Sequence, residues 1–231
     1  YSRGGNTAGN AVAVSGGKIN ASVHGGCAPV GDAIANSVEM SGGEANELYG
    51  GRAGANAQNN SIHISGGEVG GNVYGGMAGQ EASGNTVAID GGALGGDVYA
   101  GYGATVASNR IVINNSLDLS GSSFYGANSD AIVMLGNALE INSKNIKAKA
   151  VARFQRYVFN LPADMDISAD KALILSESVD ITGSKAAVDL TKLSREFVIG
   201  DQICLMETGG LSTSVKITSK VIYNARIDVP L

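Results

Sequence analysis

The sequence predicts an all-β protein: a right-handed parallel β-helix, or β-solenoid, of about five 25-residue coils with a β-rich cap at its C-terminal end. Three observations support this fold class. A motif of one aliphatic, one aromatic and two small residues recurs about every 25 positions. A second motif, in which aliphatic residues alternate with small or polar ones, recurs with the same period. Glycine is abundant, at 34 of 231 residues, whereas there are only 3 prolines, a composition that fits many tight turns and argues against collagen or disorder.

The first motif reads Val-Tyr-Gly-Gly in its best copy. The first residues of successive copies stand 25, 25, 25 and 26 positions apart. The copies occupy residues 23–26, 48–51, 73–76, 98–101 and 124–127. Because neighbouring residues of a strand face opposite sides, we expect the aliphatic residue of each copy to face the interior and the aromatic residue to face outward.

The second motif begins with asparagine and ends in a Gly-Gly turn. Its alternation predicts a strand with one buried face, which stacked coils bury together by pairing in parallel. Two interior ladders are therefore expected: Val12, Val38, Ile62, Val87 and Ile111, and Val14, Met40, Ile64, Ile89 and Ile113. A corner ladder is expected from the amides of Asn10, Asn36, Asn60, Asn85 and Asn109, each bonded to its own turn and to the next asparagine.

The composition changes near the middle of the chain. Residues 1–128 hold 29 of the 34 glycines but only 4 of the 16 lysines and arginines. We therefore predict that 1–128 form the solenoid repeats and that 129–231 form a C-terminal β-rich cap or junction region. Such a cap is needed because the end of a solenoid exposes unpaired strand edges and an open core.

Two regions of the chain resemble the passenger domains of bacterial autotransporter (type V secretion) adhesins. The repeats, best seen as Gly-Gly-Glu-Val-Gly-Gly-Asn-Val-Tyr-Gly-Gly at 66–76, are similar to repeats of that family, and so are the tracts at 154–163, 180–183 and 200–205. In that family these tracts lie between the repeats and a membrane-embedded β-barrel. The resemblance implies an autochaperone-like role for 129–231. It also implies a location at the bacterial cell surface, on the extracellular side of the outer membrane or released from it, with membrane attachment only through a barrel outside this chain.

Composition and charge also limit the function classes. The formal net charge of −5 argues against nucleic-acid binding, which needs a basic face. The sequence contains no run of 18 apolar residues, so no transmembrane helix is predicted. Cys27 and Cys204 have no partners at metal-ligand spacing, so we predict no metal and no cofactor. The chain opens inside a repeat, and we expect it to be part of a longer protein.

No catalytic residues are predicted. The only histidines are His24 and His63, and no serine lies in a G-x-S-x-G motif. The stretch 91–99 has some likeness to a calcium-binding nonapeptide, but its period is wrong and the equivalent residues of other coils, such as Ser22 and Asn72, do not form a ring of carboxylates. Sugar hydrolysis needs two carboxylates roughly 5–10 Å apart. An alternative function is therefore a carbohydrate-active β-helix enzyme, a polysaccharide lyase or hydrolase, using Asp32, Glu44, Glu47 or Glu81.

The aromatic column of the first motif is the candidate contact site. Its rings either stack to stabilise neighbouring coils or form a stripe that contacts glycan or protein. The column consists of His24, Tyr49, Tyr74, Tyr99 and Tyr125. Together these features predict a non-enzymatic surface protein acting in adhesion or self-association, with glycans or proteins of a host or bacterial surface as partners. A purely structural stalk, carrying a binding domain outside this chain, is the other alternative.

Overall fold

The computed structural model describes residues 4–177, 179, 181, 183–193 and 201–209, and the backbone of 211–216 and 226–230. These residues form strands and connecting turns, without a helix. In chain order the strands are β1 (Thr7–Ala8), β2 (Ala11–Ile19), β3 (Val23–Ala28), β4 (Ala33–Ile34), β5 (Ser37–Ala45), β6 (Leu48–Ala53), β7 (Ala57–Gln58), β8 (Ser61–Val69), β9 (Val73–Ala78), β10 (Glu81–Ser83), β11 (Thr86–Ile89), β12 (Ala93–Leu94), β13 (Val98–Tyr99), β14 (Thr105–Ala107), β15 (Arg110–Ile113), β16 (Asp118–Tyr125), β17 (Val133–Leu135), β18 (Ala138–Ile141), β19 (Ile146–Ala152), β20 (Arg156–Asn160), β21 (Leu173–Leu175), β22 (Lys185–Asp189), β23 (Gln202–Thr208), β24 (Leu211–Lys216) and β25 (Arg226–Pro230).

The strands form three sheets whose members come from successive coils. Sheet A runs β1-β4-β7-β10-β14-β17, sheet B runs β2-β5-β8-β11-β15-β18-β20-β22-β25, and sheet C runs β3-β6-β9-β13-β16-β19-β21-β23-β24. Strand β12 joins sheet B by pairing with β8. Pairing is parallel between coils, so the predicted β-solenoid is confirmed.

The number of coils differs from the prediction. The stack has about seven turns rather than five, because parallel pairing continues beyond the last recognisable repeat. Sheet B is extended from β15 by β18, β20 and β22, and sheet C from β16 by β19, β21 and β23. The glycine-rich corners disappear there, but the alternation of inward apolar residues does not. Whether 1–128 and 129–231 are separate units stays a prediction.

Both predicted interior ladders are present and lie in register. Met40 pairs with Ile64, and Ile64 with Ile89, and all three side chains are buried. The ladders continue past the repeats through Leu139 and Ile141, then Tyr157 and Phe159, then Ala186 and Val188. The largest side chains of the two ladders, Tyr157 and Phe159, thus lie in β20, beyond the repeats.

The last coil is closed by a change of strand direction. Strand β24 pairs antiparallel with β23, and β25 pairs antiparallel with β22. These two strands cover edges of sheets C and B that would otherwise present unpaired backbone groups, which agrees with the predicted β-rich cap.

The asparagines of the second motif form a buried ladder at the corner between sheets A and B. Each amide donates to the side-chain oxygen of the asparagine in the next coil over 2.8–3.1 Å. Four of the five predicted members are fully buried. The ladder extends by one member, Asn137, whose backbone N–H donates to Gln155 Oε1. Gln155 thus continues it where the next asparagine would stand.

Two details of this corner differ from the prediction. The second amide hydrogen does not bond the asparagine's own turn but a carbonyl of the preceding coil, as from Asn60 to Ala33 O and from Asn85 to Ala57 O. The left-handed backbone conformation falls on the residue before each asparagine, including Ala35 with φ 52°. None of the ladder asparagines has a positive φ, and their amides point along the stack to the next asparagine.

The second glycine of the Val-Tyr-Gly-Gly motif leaves room for this ladder. A Cβ on Gly51 would lie 2.5 Å from Asn60 Cγ, and one on Gly76 would lie 2.4 Å from Asn85 Nδ2, too close for any side chain. The second glycine of the motif in sheet C therefore packs directly against the asparagine side chain that precedes the sheet B strand.

Candidate functional site

The aromatic column forms a continuous stack on sheet C. Ring centroids of neighbouring members lie 4.7–5.2 Å apart. The planes of neighbouring rings are inclined by 12–25°. The apolar residue before each ring, aliphatic in four copies and Phe124 in the fifth, belongs to the core, so the rings stand on the opposite, outer face of the strand. We call the set His24, Tyr49, Tyr74, Tyr99 and Tyr125 the tyrosine stack.

The stack is less open than a contact stripe requires. Tyr49 and Tyr74 are only 6% and 9% exposed, and the other three members are half-buried. Each inner ring uses both faces on its neighbours, and Tyr102 packs edge-on against Tyr74 and Tyr99. The three inner rings therefore offer a sugar no free face to stack on, and a ligand there would meet ring edges, hydroxyl groups and flanking side chains.

Two arginines border the stack. The guanidinium carbon of Arg52 lies 5.5 Å from the centre of the Tyr49 ring, and that of Arg153 lies 5.4 Å from the centre of the Tyr125 ring. The distance from Arg153 suits a cation–π contact with Tyr125, the last ring of the stack. Arg52 lies beside Tyr49, whose two faces are taken by His24 and Tyr74. Arg52 also lines a groove of about 470 Å³ together with Cys27, Pro29, Ala53, Gly54, Met77, Ala78 and Gly79. This groove lies beside the stack at Arg52 and combines one cation with small and apolar side chains.

Hydroxyl groups of the stack are held by residues two positions earlier in the chain. Tyr49 donates to Glu47 Oε2 over 2.9 Å, and the Tyr74 hydroxyl accepts from Asn72 Nδ2 over 3.0 Å. Asn72 in turn accepts from the backbone N–H of Asp97. These are the positions that superficially match a calcium repeat, and their role in the structure is to bond the stack and neighbouring coils.

Burial raises the pKa of the three inner tyrosines of the stack. The pKa of Tyr99 rises to about 12, first because of burial and then because of the nearby Asp97 carboxylate. Burial also raises the pKa values of Tyr49 and Tyr74, and it lowers that of His24, with Arg52 adding to the effect. His24, Tyr49, Tyr74 and Tyr99 are therefore neutral at physiological pH.

We expect this column to weaken in alkali. The phenols are favoured in their neutral form in the fold, and an unfolded chain ionises them near pH 10. Stabilisation should therefore be complete below pH 10 and be lost as pH rises towards about 12. Absorbance of tyrosinate, followed as pH is raised, should show some tyrosines of the folded chain ionising well above pH 10. In the chain unfolded by urea, all tyrosines should ionise near pH 10. Ionisation of all 8 tyrosines together near pH 10, with the fold intact, would contradict it.

A second polar column runs along the outer end of sheet B and was not foreseen. His63 Nε2 lies 2.9 Å from Asp90 Oδ2, and Asn114 donates to the other oxygen of the same carboxylate. These two contacts lower the pKa of Asp90. Asn142 and Asn160 continue the chain of side-chain hydrogen bonds into later coils. His63 is thus a structural partner of Asp90 in this column.

The acids of the enzymatic alternative are mostly engaged between coils. Asp32 accepts from the backbone and side chain of Asn56, Glu44 pairs with Lys18, and Glu47 binds Tyr49. Glu81 is half-buried in β10. Within the part of the chain that the structure describes, no three His, Cys, Asp or Glu side chains converge to hold a metal ion. Over the same residues, no helix has the length and apolar character that crossing a bilayer requires.

Only part of this arrangement carries a sequence signal. The tyrosine stack follows from the 25-residue period, but its hydroxyl partners are Glu47 in one coil and Asn72 in the next, so they share no residue type.

Comparisons of the chain with protein-family models, with curated protein sequences and with solved structures find no match.

Proposed function

We propose that the chain is a non-enzymatic segment of a cell-surface protein, a passenger of the autotransporter kind, that acts in adhesion or self-association. The observation that carries the proposal is the use of polar side chains. The buried asparagine ladder and the column through Asp90 bond from coil to coil. The tyrosine hydroxyls bond Glu47 and Asn72 of their own coils, and these two residues in turn bond Ser22 and Asp97 of neighbouring coils. These groups build a regular rod, and they are not gathered around a cleft.

A rod of this kind suits weak contacts repeated along its length. The outer surface is regular and the net charge is −5 over 231 residues, so neither strong steering nor a single dominant pocket is expected. Many weak contacts between surfaces add to a strong attachment when they are held together. The groove beside Arg52 and the edges of the tyrosine stack are the positions where we place such contacts.

The proposal is tested by displaying the chain on bacterial cells through a heterologous surface anchor. We expect displaying cells to aggregate or to bind host-cell layers and glycan arrays more strongly than cells with the anchor alone. A variant with Phe at 49, 74 and 99 keeps the stacked rings but removes their hydroxyls, so weaker binding would place the contact there. Cells that behave like the anchor-only control, or release of reducing sugar from a bound glycan, would contradict the proposal.

A further inference from the structure

Sheet A ends two coils before its neighbours. Its last strand, β17, pairs with β14 on one side, while sheets B and C continue to β22 and β23. The reason lies in the next coil, where only residues 153–155 connect β19 to β20 and leave no length for a strand. Strand β17 is therefore an edge strand in the middle of the molecule.

The side chains around this edge are apolar and exposed. Ile132, Val133, Met134 and Leu135 are 83%, 46%, 40% and 66% exposed. Among the described residues, Val30 alone joins them as an exposed large hydrophobic side chain. The sequence from 131 to 139 contains no charged residue and no proline. Natural edge strands are usually protected by lysine, proline or a bulge, and β17 has none of these.

Met134 marks the open end of an interior column. In register, the column below it consists of Thr7, Ala33, Ala57, Ala82 and Val106. Those five side chains are all buried by the coil above them. Met134 is exposed because no strand of the described residues follows β17 in sheet A, so both the sheet edge and the column beneath it end at this level.

The backbone of β17 offers hydrogen bonds on its free side. The N–H of Val133 donates to Ala104 O over 3.2 Å, and the carbonyl of Leu135 accepts from the N–H of Ser108 over 2.8 Å. In a parallel pair, alternate residues of a strand bond to the same neighbour. Val133 and Leu135 thus turn towards β14, and the N–H and C=O of Met134 point away from it.

We propose that β17 pairs antiparallel with β17 of a second copy of this chain, with the two-fold axis at Met134. A residue on such an axis exchanges both backbone hydrogen bonds with its symmetry mate, and the outward groups of Met134 are placed for this. Val133 then lies opposite the partner subunit's Leu135. Residues 131–139 carry no charged side chain, so two copies of β17 can pair without repulsion. A partner strand with charged side chains would instead place those charges, without counter-charges, against Leu135 and Ile132.

The contact is small, which sets its strength. A stable interface buries about 800 Å² on each partner, and one short strand with four apolar side chains provides less. We expect a weak, concentration-dependent dimer that becomes effective when many copies stand side by side on a surface. In this respect the inference deepens the proposed self-association and rests on it, although the pairing of β17 can be measured on its own.

The experiment is sedimentation velocity of the full chain over a wide concentration range. We expect wild type to shift from monomer to dimer, and Leu135→Lys to raise the dimer Kd at least about tenfold. Met134→Pro should do the same, because it removes a donor that faces away from β14. Val30→Lys is the matched control, with the same loss of apolar surface and the same added charge away from β17, and it should dimerise like wild type.

Circular dichroism and thermal melts on each variant establish that it is folded. Wild type that stays monomeric throughout, or equal dimerisation of wild type and both β17 variants, would overturn the inference. Surface display separates the two proposals. If cells that display Leu135→Lys still aggregate like cells that display wild type, β17 has no role in aggregation, and the proposed function still stands. If purified wild type dimerises but displaying cells neither aggregate nor adhere, the β17 pairing stands and the proposed function is wrong.

Discussion

Replacing Ile64 by aspartate is expected to destabilise the chain by about 4 kcal/mol or more, because it places a carboxylate in a dry interior ladder. Ile64 has no exposed surface and lies in register between Met40 and Ile89. A single domain is stabilised by roughly 5–15 kcal/mol in total. We therefore expect urea and thermal melts of Ile64→Asp to show a large loss of stability or no folded state.

Ser61→Asp is the matched control. Ser61 belongs to the same strand, β8, and its side chain is exposed, so the same added charge should change the free energy of unfolding by less than about 0.5 kcal/mol. His63 is a poorer control, because its imidazole contacts Asp90 and a carboxylate there would repel Asp90. If Ser61→Asp and Ile64→Asp melted alike, the assignment of inward and outward positions would be wrong.

The repeats reveal their fold in the sequence because each position has one physical role in every coil. The alternation around Ile64 and Ile89 gives the buried face, and the constant period gives the parallel register. The later coils share the alternation at Tyr157 and Phe159 but not the coil length. A connection such as 153–155 shortens a coil, so the period is lost while the pairing continues, and the sequence predicts too few coils.

The site was harder to predict, because its chemistry depends on contacts between sheets and coils. The aromatic period predicts a column of rings, but not that stacking and Tyr102 would cover Tyr74. Likewise, the glycine at 51 signals a tight position, but only the fold shows that the Asn60 amide occupies the space. The edge at β17 is exposed because none of the later strands that the structure describes joins sheet A. The sequence of residues 132–135 carries no sign of this, because it depends on the length of later coils.

Replacing Asn85 by aspartate is the second change for which we expect a large effect. The side chains have nearly the same shape, so the variant leaves no cavity and alters only hydrogen bonding and charge. The amide of Asn85 donates to Ala57 O over 2.9 Å and to Asn109 Oδ1 over 2.8 Å. A carboxylate has no hydrogen to give, and it would face both oxygens in a fully buried corner, at a cost of about 3–5 kcal/mol.

The pH dependence of this variant distinguishes the mechanism. Burial beside two acceptors should raise the pKa of the introduced carboxyl group above its usual value near 3.9, so the loss of stability should shrink in acid and grow as pH rises through that pKa. Asn59→Asp is the control, since Asn59 is exposed in the preceding coil and its side chain lies outside the ladder. Urea melts at several pH values should show a small, nearly constant effect for Asn59→Asp. A pH-independent loss for Asn85→Asp, or a loss no larger than that of the control, would mean that the ladder's amide hydrogen bonds do not hold neighbouring coils together.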